Sequence, residues 1–297
     1  MKLGIWTNSQ DATVDHICQR APHWLEILRF NSDQRFDLTI SNCTDSILEE
    51  LDLFWHRRPF ENTDSPSSLS EQIMVSENEE ALWNYVMQVP PQKWMNFPIR
   101  NWISDKKTHQ LRLAELCGLT TPDWIVTNVL DRARTFLEDH GWDCILKPIN
   151  CGYFVDGDSV YHIYTNPTNV EKINLALIKE CPTLLQKRIP KQFDVRSVHV
   201  NGATLFIALH GGDLDVRRDE MSTIKYEIIS APKHVVEAYH LMMRRSELRF
   251  CTSDFVVTAA GEWYFLENNP NGQWVWMDDD LGGGVSNFFF NNVRNFR

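Results

Sequence analysis

The chain has 297 residues, of which 43% are hydrophobic and 23% charged, and its formal net charge is -11. This composition is typical of a globular protein and excludes a disordered or fibrous chain, and the length predicts two or three packed lobes. The negative charge disfavours a broad nucleic-acid or anionic-membrane surface, because both partners are negatively charged as well.

No apolar run approaches the roughly 20 residues that cross a bilayer. The first ten residues, MKLGIWTNSQ, turn polar too early for a secretory signal. The seven cysteines form no C-x-x-C pair, which favours reduced core thiols over disulfides. We therefore expect a cytoplasmic protein.

The first third of the chain alternates predicted strands and helices. The segment KLGIWT predicts a strand, residues 11–30 a helix, FDLTISN and DLFWHRRP two further strands, and SLSEQIMVSENEEALWNYVMQV a long helix. This alternation predicts an open α/β sheet. The proline-rich segment VPPQKWMNFP then predicts a linker between lobes.

The middle of the chain again mixes both element types. A helix is predicted over DKKTHQLRLAELCGL, ending near Gly118, followed by strand DWIVTN, helix LDRARTFLEDHG and strand DCILKPIN. The segment GYFVDGDSVYHIYT predicts a hairpin whose aspartates are turn residues rather than metal ligands. A helix over NVEKINLALIKEC leads to strand TLLQKRIP.

The last third is rich in predicted strands. These are DVRSVHV, ATLFIALH, TSDFVVTAA and EWYFLENN, with one helix over KHVVEAYHLMMRRS. The aromatic residues within 287–296 predict a segment that closes a core or a dimer interface.

The final predicted hairpin carries polar residues at its open end. Asp254 near the start of one strand and Glu267 at the end of the next lie across from each other, and Asn269 follows on the same face. Two carboxylates and an amide oxygen suit magnesium. The sequence Asn-Pro-Asn-Gly is also a good turn, so the pattern leaves a metal site and a plain turn open.

Several of these segments, in their order, resemble the ATP-grasp superfamily, and within it the peptide-modifying ligases of the microviridin or graspetide type. The motifs are FWHRRP, KTHQLRLAELCGLTTPDWIVTN, ILKP, QKRIPKQFDVRSVHV, DVRR, DFVV and FLENNPNGQW. The resemblance implies an ATP-grasp fold of α+β lobes behind an N-terminal open-sheet domain. The expected divisions are the N-terminal domain at residues 1–98, a central lobe at residues 99–184 that includes a phosphate flap, and a C-terminal lobe with the magnesium site at residues 185–297.

Such enzymes hold ATP and magnesium, usually two ions, between two lobes and activate a carboxylate as an acyl phosphate. The resemblance implies a macrocyclase that joins acidic side chains of a ribosomal precursor peptide to Thr, Ser or Lys as esters or amides. Related ligases are commonly homodimers. The alternatives are an ATP-grasp ligase that acts on a free amino acid, a peptide or a protein terminus, and a nucleotide-binding module without turnover.

The resemblance also implies roles for cationic residues. Lys107 and Lys147 match the two phosphate-side lysines, although Lys107 alone reads as a solvated helix residue. Arg196 and Arg217 are assigned to the γ-phosphate and the incoming carboxylate, because a guanidinium suits such oxygens.

The nucleotide base and ribose are expected to meet four further residues. Gln186, Lys187 and Ile189 match the hinge strand beside adenine, and Asp194 matches an acidic position near the ribose hydroxyls. Without the resemblance, Asp194 and Arg196 read equally well as an exposed ion pair on one strand face.

The resemblance makes Asp254, Glu267 and Asn269 the magnesium ligands. The family's usual residue between the last two is apolar, and Asn268 stands there in this chain. By strand alternation its side chain is predicted to point away from the metal. The flap hairpin with Gly152 and Gly157 is bulkier than a simple glycine-rich loop because of Tyr153 and Phe154.

Overall fold

The computed structural model describes residues 1–34, 47–59, 68–149, 153–156, 159–162, 166–167, 175–211 and 224–296. These residues form lobes of mixed helix and sheet, as predicted. None of the helices in these ranges is both long and apolar enough to span a membrane.

The N-terminal domain is built on a parallel sheet in the order β2-β1-β3, which confirms the predicted open α/β sheet. Asp11 starts the first helix by accepting hydrogen bonds from the backbone N–H groups of Thr13 and Val14. The elements are β1 (Lys2–Thr7), α1 (Ala12–Arg20), β2 (Glu26–Asn31), β3 (Leu53–His56) and α2 (Leu69–Val86).

The helix predicted over residues 11–30 is wrong in its second half. The helix ends at Arg20, and residues Glu26–Asn31 form β2, which pairs with β1. Pro22 disfavours the helical conformation of the residue before it, and Ala21 is accordingly extended, with ψ of 127°. The predicted strand FDLTISN, residues 36–42, lies outside the described residues.

The proline-rich segment after α2 packs against the N-terminal domain. Trp94 is buried, and the Met95 N–H donates to the Phe54 carbonyl at 2.7 Å. Two helices follow, where the sequence predicts one: α3 (Pro98–Ser104) and α4 (Lys107–Cys117).

The central lobe is a four-stranded antiparallel sheet in the order β4-β9-β5-β8. Helix α5 packs on one face through Ala133 and Leu137, which belong to the same core cluster as the buried Leu185. The elements are β4 (Trp124–Thr127), α5 (Leu130–Asp139), β5 (Cys144–Lys147), β8 (Asn166–Pro167) and β9 (Thr183–Lys187). The predicted hairpin is present as β6 (Tyr153–Asp156) and β7 (Ser159–His162).

The C-terminal lobe is a five-stranded antiparallel sheet in the order β12-β11-β10-β13-β14. The predicted strands and helix are confirmed, and β12 and the last two helices are additional. The elements are β10 (Phe193–Val200), β11 (Ala203–His210), β12 (Lys225–Ile229), α6 (Lys233–Ser246), β13 (Phe250–Val257), β14 (Trp263–Asn269), α7 (Val275–Asp278) and α8 (Gly284–Val293).

The two faces of this sheet are covered differently. Helices α4 and α6 pack on Val195, Phe206 and Phe255. Helix α4 therefore packs with the C-terminal lobe although its residues fall within the expected 99–184 lobe, and the division at residue 184 lies inside β9. On the opposite face, the N-terminal domain and α8 form one apolar core with residues that include Val198, Ile207 and Phe250.

Helix α8 closes that core. Phe289 is fully buried, with its ring centroid 5.3 Å from that of Trp55 and 6.0 Å from that of Trp274. The aromatic segment therefore completes a core that joins two domains, one of the two roles predicted for it.

We predict that Phe289→Ala lowers the free energy of unfolding by about 3–5 kcal/mol, because a buried ring is lost and a cavity is left. Denaturant unfolding measures the change. The control Asn291→Ala, at an exposed position of the same helix, is expected to change the free energy by less than about 0.5 kcal/mol. Equal stabilities of the two variants would contradict this role of α8.

Candidate active site

The last hairpin brings the three predicted oxygen ligands to one face of the sheet. Asp254 on β13 lies directly opposite Glu267 on β14, and Thr252 lies opposite Asn269. The register shifts between Asp254 and Phe255, so that Leu266 is an extra residue in β14. Because of this bulge, Glu267 faces away from the core that holds Phe265 and shares its face with Asp254.

Arg196 faces the same carboxylates from the neighbouring strand. It lies opposite Asp254, and its Nη1 is 2.8 Å from both Asp254 carboxylate oxygens. Its Nη2 donates to the Gln273 carbonyl at 2.9 Å. Asp194, two residues earlier on this face, accepts from Lys191 at 2.5 Å. The side chains of Asp194, Arg196 and Asp254 therefore lie on one face of neighbouring strands, where the apolar core of this face ends.

A second arginine, from the N-terminal domain, holds the loop after Asn269. The buried guanidinium of Arg57 donates to the carbonyls of Asn271 and Gly272, and its Nε is 3.2 Å from Asp11 Oδ2. Arg58 Nε donates to the Asn271 carbonyl at 3.2 Å. Arginines from two domains therefore hold three successive carbonyls of residues 271–273.

Gly272 permits the close packing of this loop. A Cβ atom built at Gly272 lies 1.6 Å from Thr252 Oγ1 and 2.8 Å from Arg196 Nη2. The lack of a side chain at this position lets the loop lie directly against β13 and the Arg196 guanidinium.

The two predicted phosphate-side lysines come from elements that meet. Lys107 is the first residue of α4, and its Nζ donates to the Pro148 carbonyl at 2.8 Å. Pro148 directly follows Lys147, whose side chain is 8% exposed at the end of β5. The structure therefore brings the start of α4 beside the end of β5.

The predicted hinge residues lie on β9 and just beyond it. The strand register and alternation place Gln186 and Lys147 on the same face of the central sheet, opposite the face that α5 covers. Gln186 is buried, and neither of its side-chain amide atoms has a hydrogen-bond partner within the described residues. The Lys187 N–H donates to the Asp123 carbonyl, and Ile189 is half-buried.

Asn268 lies on the opposite side of β14 from the ligand residues, as predicted. Its side-chain oxygen accepts from Ser253 Oγ at 2.7 Å, and Ser253 Oγ is 2.6 Å from the Tyr239 hydroxyl oxygen. Burial raises the pKa of Tyr239, so this hydroxyl stays protonated. Asn268, the polar residue that departs from the family pattern, therefore takes part in a hydrogen-bond network within the core.

Asp105 adds a carboxylate beside the predicted ligands. Partial burial raises its pKa, the positive charges of Lys106 and Lys107 oppose this shift, and the negative charge of Glu267 adds to it. The charges of both Lys107 and Glu267 act on Asp105, so the start of α4 lies near the end of β14.

Arg217, Gly152 and Gly157 lie outside the described residues, and Tyr153 and Phe154 are described only in their backbone.

Three residues of this region, Arg57, Asp105 and Gln110, were not predicted from sequence to belong to the site. Gln110 interrupts the buried face of α4 formed by Leu111, Ala114 and Cys117. Arg57 stands directly after the apolar strand β3. A polar residue at a position where the pattern demands an apolar one is the signal that points to both.

Comparison with known proteins gives a consistent fold. Neither a protein-family model nor a curated protein matches the chain. Among solved structures, macrocyclase MdnC from Microcystis aeruginosa MRC, bound with precursor peptide MdnA, is similar, with a TM-score of 0.78 and 19% identity over 97% of this chain and 99% of MdnC. The Chryseobacterium gregarium RiPP-associated ATP-grasp ligase, in complex with ADP and a leader and core peptide, is also similar. Its TM-score is 0.76, and its identity is 18% over 98% of this chain and 96% of that ligase.

The chain has the ATP-grasp fold. The ATP-grasp ligase PsnB, complexed with a minimal precursor, Mg and ADP, is similar with a TM-score of 0.72 and 17% identity over 98% of this chain and 97% of PsnB. In this chain the last hairpin carries Asp254 and Glu267, and the central sheet carries Lys147.

We predict that Gly272→Ala destabilises the protein by about 1–3 kcal/mol, because the added methyl group overlaps Thr252 and Arg196. Thermal unfolding measures the change. The control Gly284→Ala, whose Cβ would meet the Cδ1 atom of the exposed Ile228 side chain at 3.2 Å, is expected to have a smaller effect. An unchanged midpoint for Gly272→Ala would show that the loop does not need this close contact.

Proposed function

We propose that this chain is an ATP- and magnesium-dependent ligase that forms ester or amide cross-links within a ribosomal precursor peptide. The observation that carries the proposal is the meeting of Asp254, Glu267 and Asn269 with Arg196 at the edge of an apolar core, within an ATP-grasp fold. The precursor peptides and leader peptides named for the similar structures support the substrate class.

The nucleotide is proposed to lie between the central sheet and the last hairpin. A buried amide without a hydrogen-bond partner is costly, and Gln186 has none among the described residues, so its side chain fits the role of a donor and acceptor for the adenine edge. Ile189 and the Lys187 carbonyl lie beside it in sequence, whereas the Lys187 N–H is already bound to Asp123. Asp194 is proposed to accept from the ribose hydroxyls.

The donor set of the last hairpin fits magnesium. Asp254, Glu267 and Asn269 offer only oxygen atoms on one face, and Mg²⁺ prefers oxygen ligands and keeps water or phosphate oxygens as its other ligands. Bound there, one or two ions would neutralise charge on the phosphates. Lys107 and Lys147 are proposed to stabilise the same charge from the other side of the cleft.

The proposed reaction has two steps. An acidic side chain of the peptide attacks the γ-phosphorus of ATP, and the bond to the ADP oxygen breaks, which gives an acyl phosphate. A hydroxyl or amine of the same peptide then attacks the acyl carbon, loses its proton, and displaces inorganic phosphate. Arg196 and Arg217 are proposed to hold the incoming carboxylate and the transferred phosphoryl group, because a guanidinium binds two such oxygens at once.

A homodimer is proposed as the working form on the resemblance alone, and the cytoplasm is proposed as its location on the sequence features given above. Size-exclusion chromatography with light scattering tests the dimer.

The experiment incubates the purified protein with ATP, magnesium and the small peptide encoded next to its gene, and follows the peptide by mass spectrometry. Successive losses of one water mass are expected, one for each cross-link. ATP consumption only on addition of a free amino acid would favour an amino-acid ligase instead. Nucleotide binding without hydrolysis would favour a non-catalytic module.

We predict that Glu267→Gln abolishes turnover, by at least about a hundredfold, with the fold intact, because one metal-binding charge is lost. The loss of water from the peptide and the release of ADP are measured, together with the circular dichroism spectrum. The control Glu262→Gln changes an exposed carboxylate just before the same strand and is expected to keep activity. Wild-type activity of Glu267→Gln would remove this residue from the metal site.

A further inference from the structure

The side chain of Gln110 binds both backbone polar groups of one residue on β14. Its Oε1 accepts from the Asn268 N–H at 2.6 Å, and its Nε2 donates to the Asn268 carbonyl at 3.2 Å. The same Nε2 lies 3.2 Å from the Ser104 carbonyl. Gln110 is 2% exposed, so water does not compete freely for these bonds.

The bound residue stands between two of the proposed metal ligands. Asn268 follows Glu267 and precedes Asn269, and β14 is the edge strand of its sheet. The outward N–H and C=O of an edge strand have no neighbouring strand to bind. Gln110 supplies the missing partner for both groups and fixes the backbone at the point where the ligand side chains leave it.

The two hydrogen bonds between Gln110 and the backbone of Asn268 also fix the helix that carries a proposed phosphate ligand. Gln110 lies three residues after Lys107, on the first turn of α4. The hydrogen bonds therefore connect the element bearing Lys107 with the strand bearing Glu267 and Asn269. The influence of both Lys107 and Glu267 on the pKa of Asp105 agrees with this closeness.

The side chain of Asn268, whose backbone binds Gln110, is anchored in the core. The side chain of Asn268 accepts from Ser253, and Ser253 and Ser197 both contact the Tyr239 hydroxyl. The core residues bind the side chain of Asn268, whereas Gln110 binds the backbone of Asn268. The two sets of hydrogen bonds can therefore be separated by mutation.

We propose that Gln110 is a positioning residue for metal binding: by holding the backbone of Asn268 it sets the distance between Lys107 and the oxygen atoms of Glu267 and Asn269. The inference rests on the proposed function, because it takes these residues as the phosphate and metal ligands. Loss of groups that orient metal ligands typically costs about 10–100-fold in metal affinity.

The test measures the dissociation constant of ADP by calorimetry, once with EDTA and once with saturating magnesium, and takes the ratio as the magnesium-dependent gain in affinity. Gln110→Met keeps the volume of the side chain but removes both hydrogen bonds. We expect this gain to fall by about tenfold or more. The dissociation constant measured in EDTA is expected to stay within about threefold of the wild-type value.

Two controls separate positioning from general destabilisation. Asn268→Leu removes the anchor in the core but leaves its backbone for Gln110, and it is expected to keep most of the gain. Val86→Ala, in the separate core around α2, lowers stability far from the site and is expected to leave the gain unchanged. A gain that falls in Val86→Ala as much as in Gln110→Met would overturn the inference.

The result also distinguishes this inference from the proposed function. A wild-type protein that does not bind ADP more tightly with magnesium would refute the proposed metal site itself. A wild-type protein with a clear gain that Gln110→Met preserves would refute only the positioning role of Gln110.

Discussion

The buried ion pair of Arg57 and Asp11 ties the N-terminal domain to the loop that follows the predicted metal ligands. Both side chains are fully buried, and the guanidinium also donates to two carbonyls of the loop. A buried charge without a partner costs several kcal/mol, so each member of this arrangement depends on the others. Asp11 at the same time starts α1, so one carboxylate serves a helix, an ion pair and, through Arg57, the loop of the site.

The order of the site follows from this attachment. Residues 271 and 272 are held by Arg57, and residue 273 is held by Arg196, which also binds Asp254 across the sheet. The loop can lie this close to β13 because residue 272 is glycine. The apolar core of the same face ends where these charges begin, so Arg57 and Asp11 are fully buried and interact strongly, whereas the side chain of Asp254 is 32% exposed.

The sequence predicted the features that depend on local pattern. The turn after Thr258 predicted that Asp254 and Glu267 meet at the open end of the hairpin, and alternation predicted the inward direction of Asn268. The bulge at Leu266, which places Glu267 directly opposite Asp254, was not predicted. The helix predicted through Phe30 was wrong because the pattern of EILRFN suits either element and only pairing with β1 decides it. The contacts of Gln110 and Arg57 span 158 and 214 residues, and no local pattern encodes such distances.

The polar residue at position 268 shows how the site and the core share one strand. An apolar residue there would pack against α6, whereas Asn268 binds Ser253 beside Tyr239 and is buried. Each hydrogen bond of this kind contributes about 1 kcal/mol net, and an unpaired member would cost about 1–3 kcal/mol. The network is therefore stable only when complete, and it anchors the side chain of Asn268 in the core, whereas Gln110 holds the backbone of Asn268 at the edge of the sheet. Glu267 and Asn269 thus extend from a backbone segment that Gln110 holds in place, and a fixed segment can keep the carboxylate of Glu267 close to that of Asp254 despite their like charges.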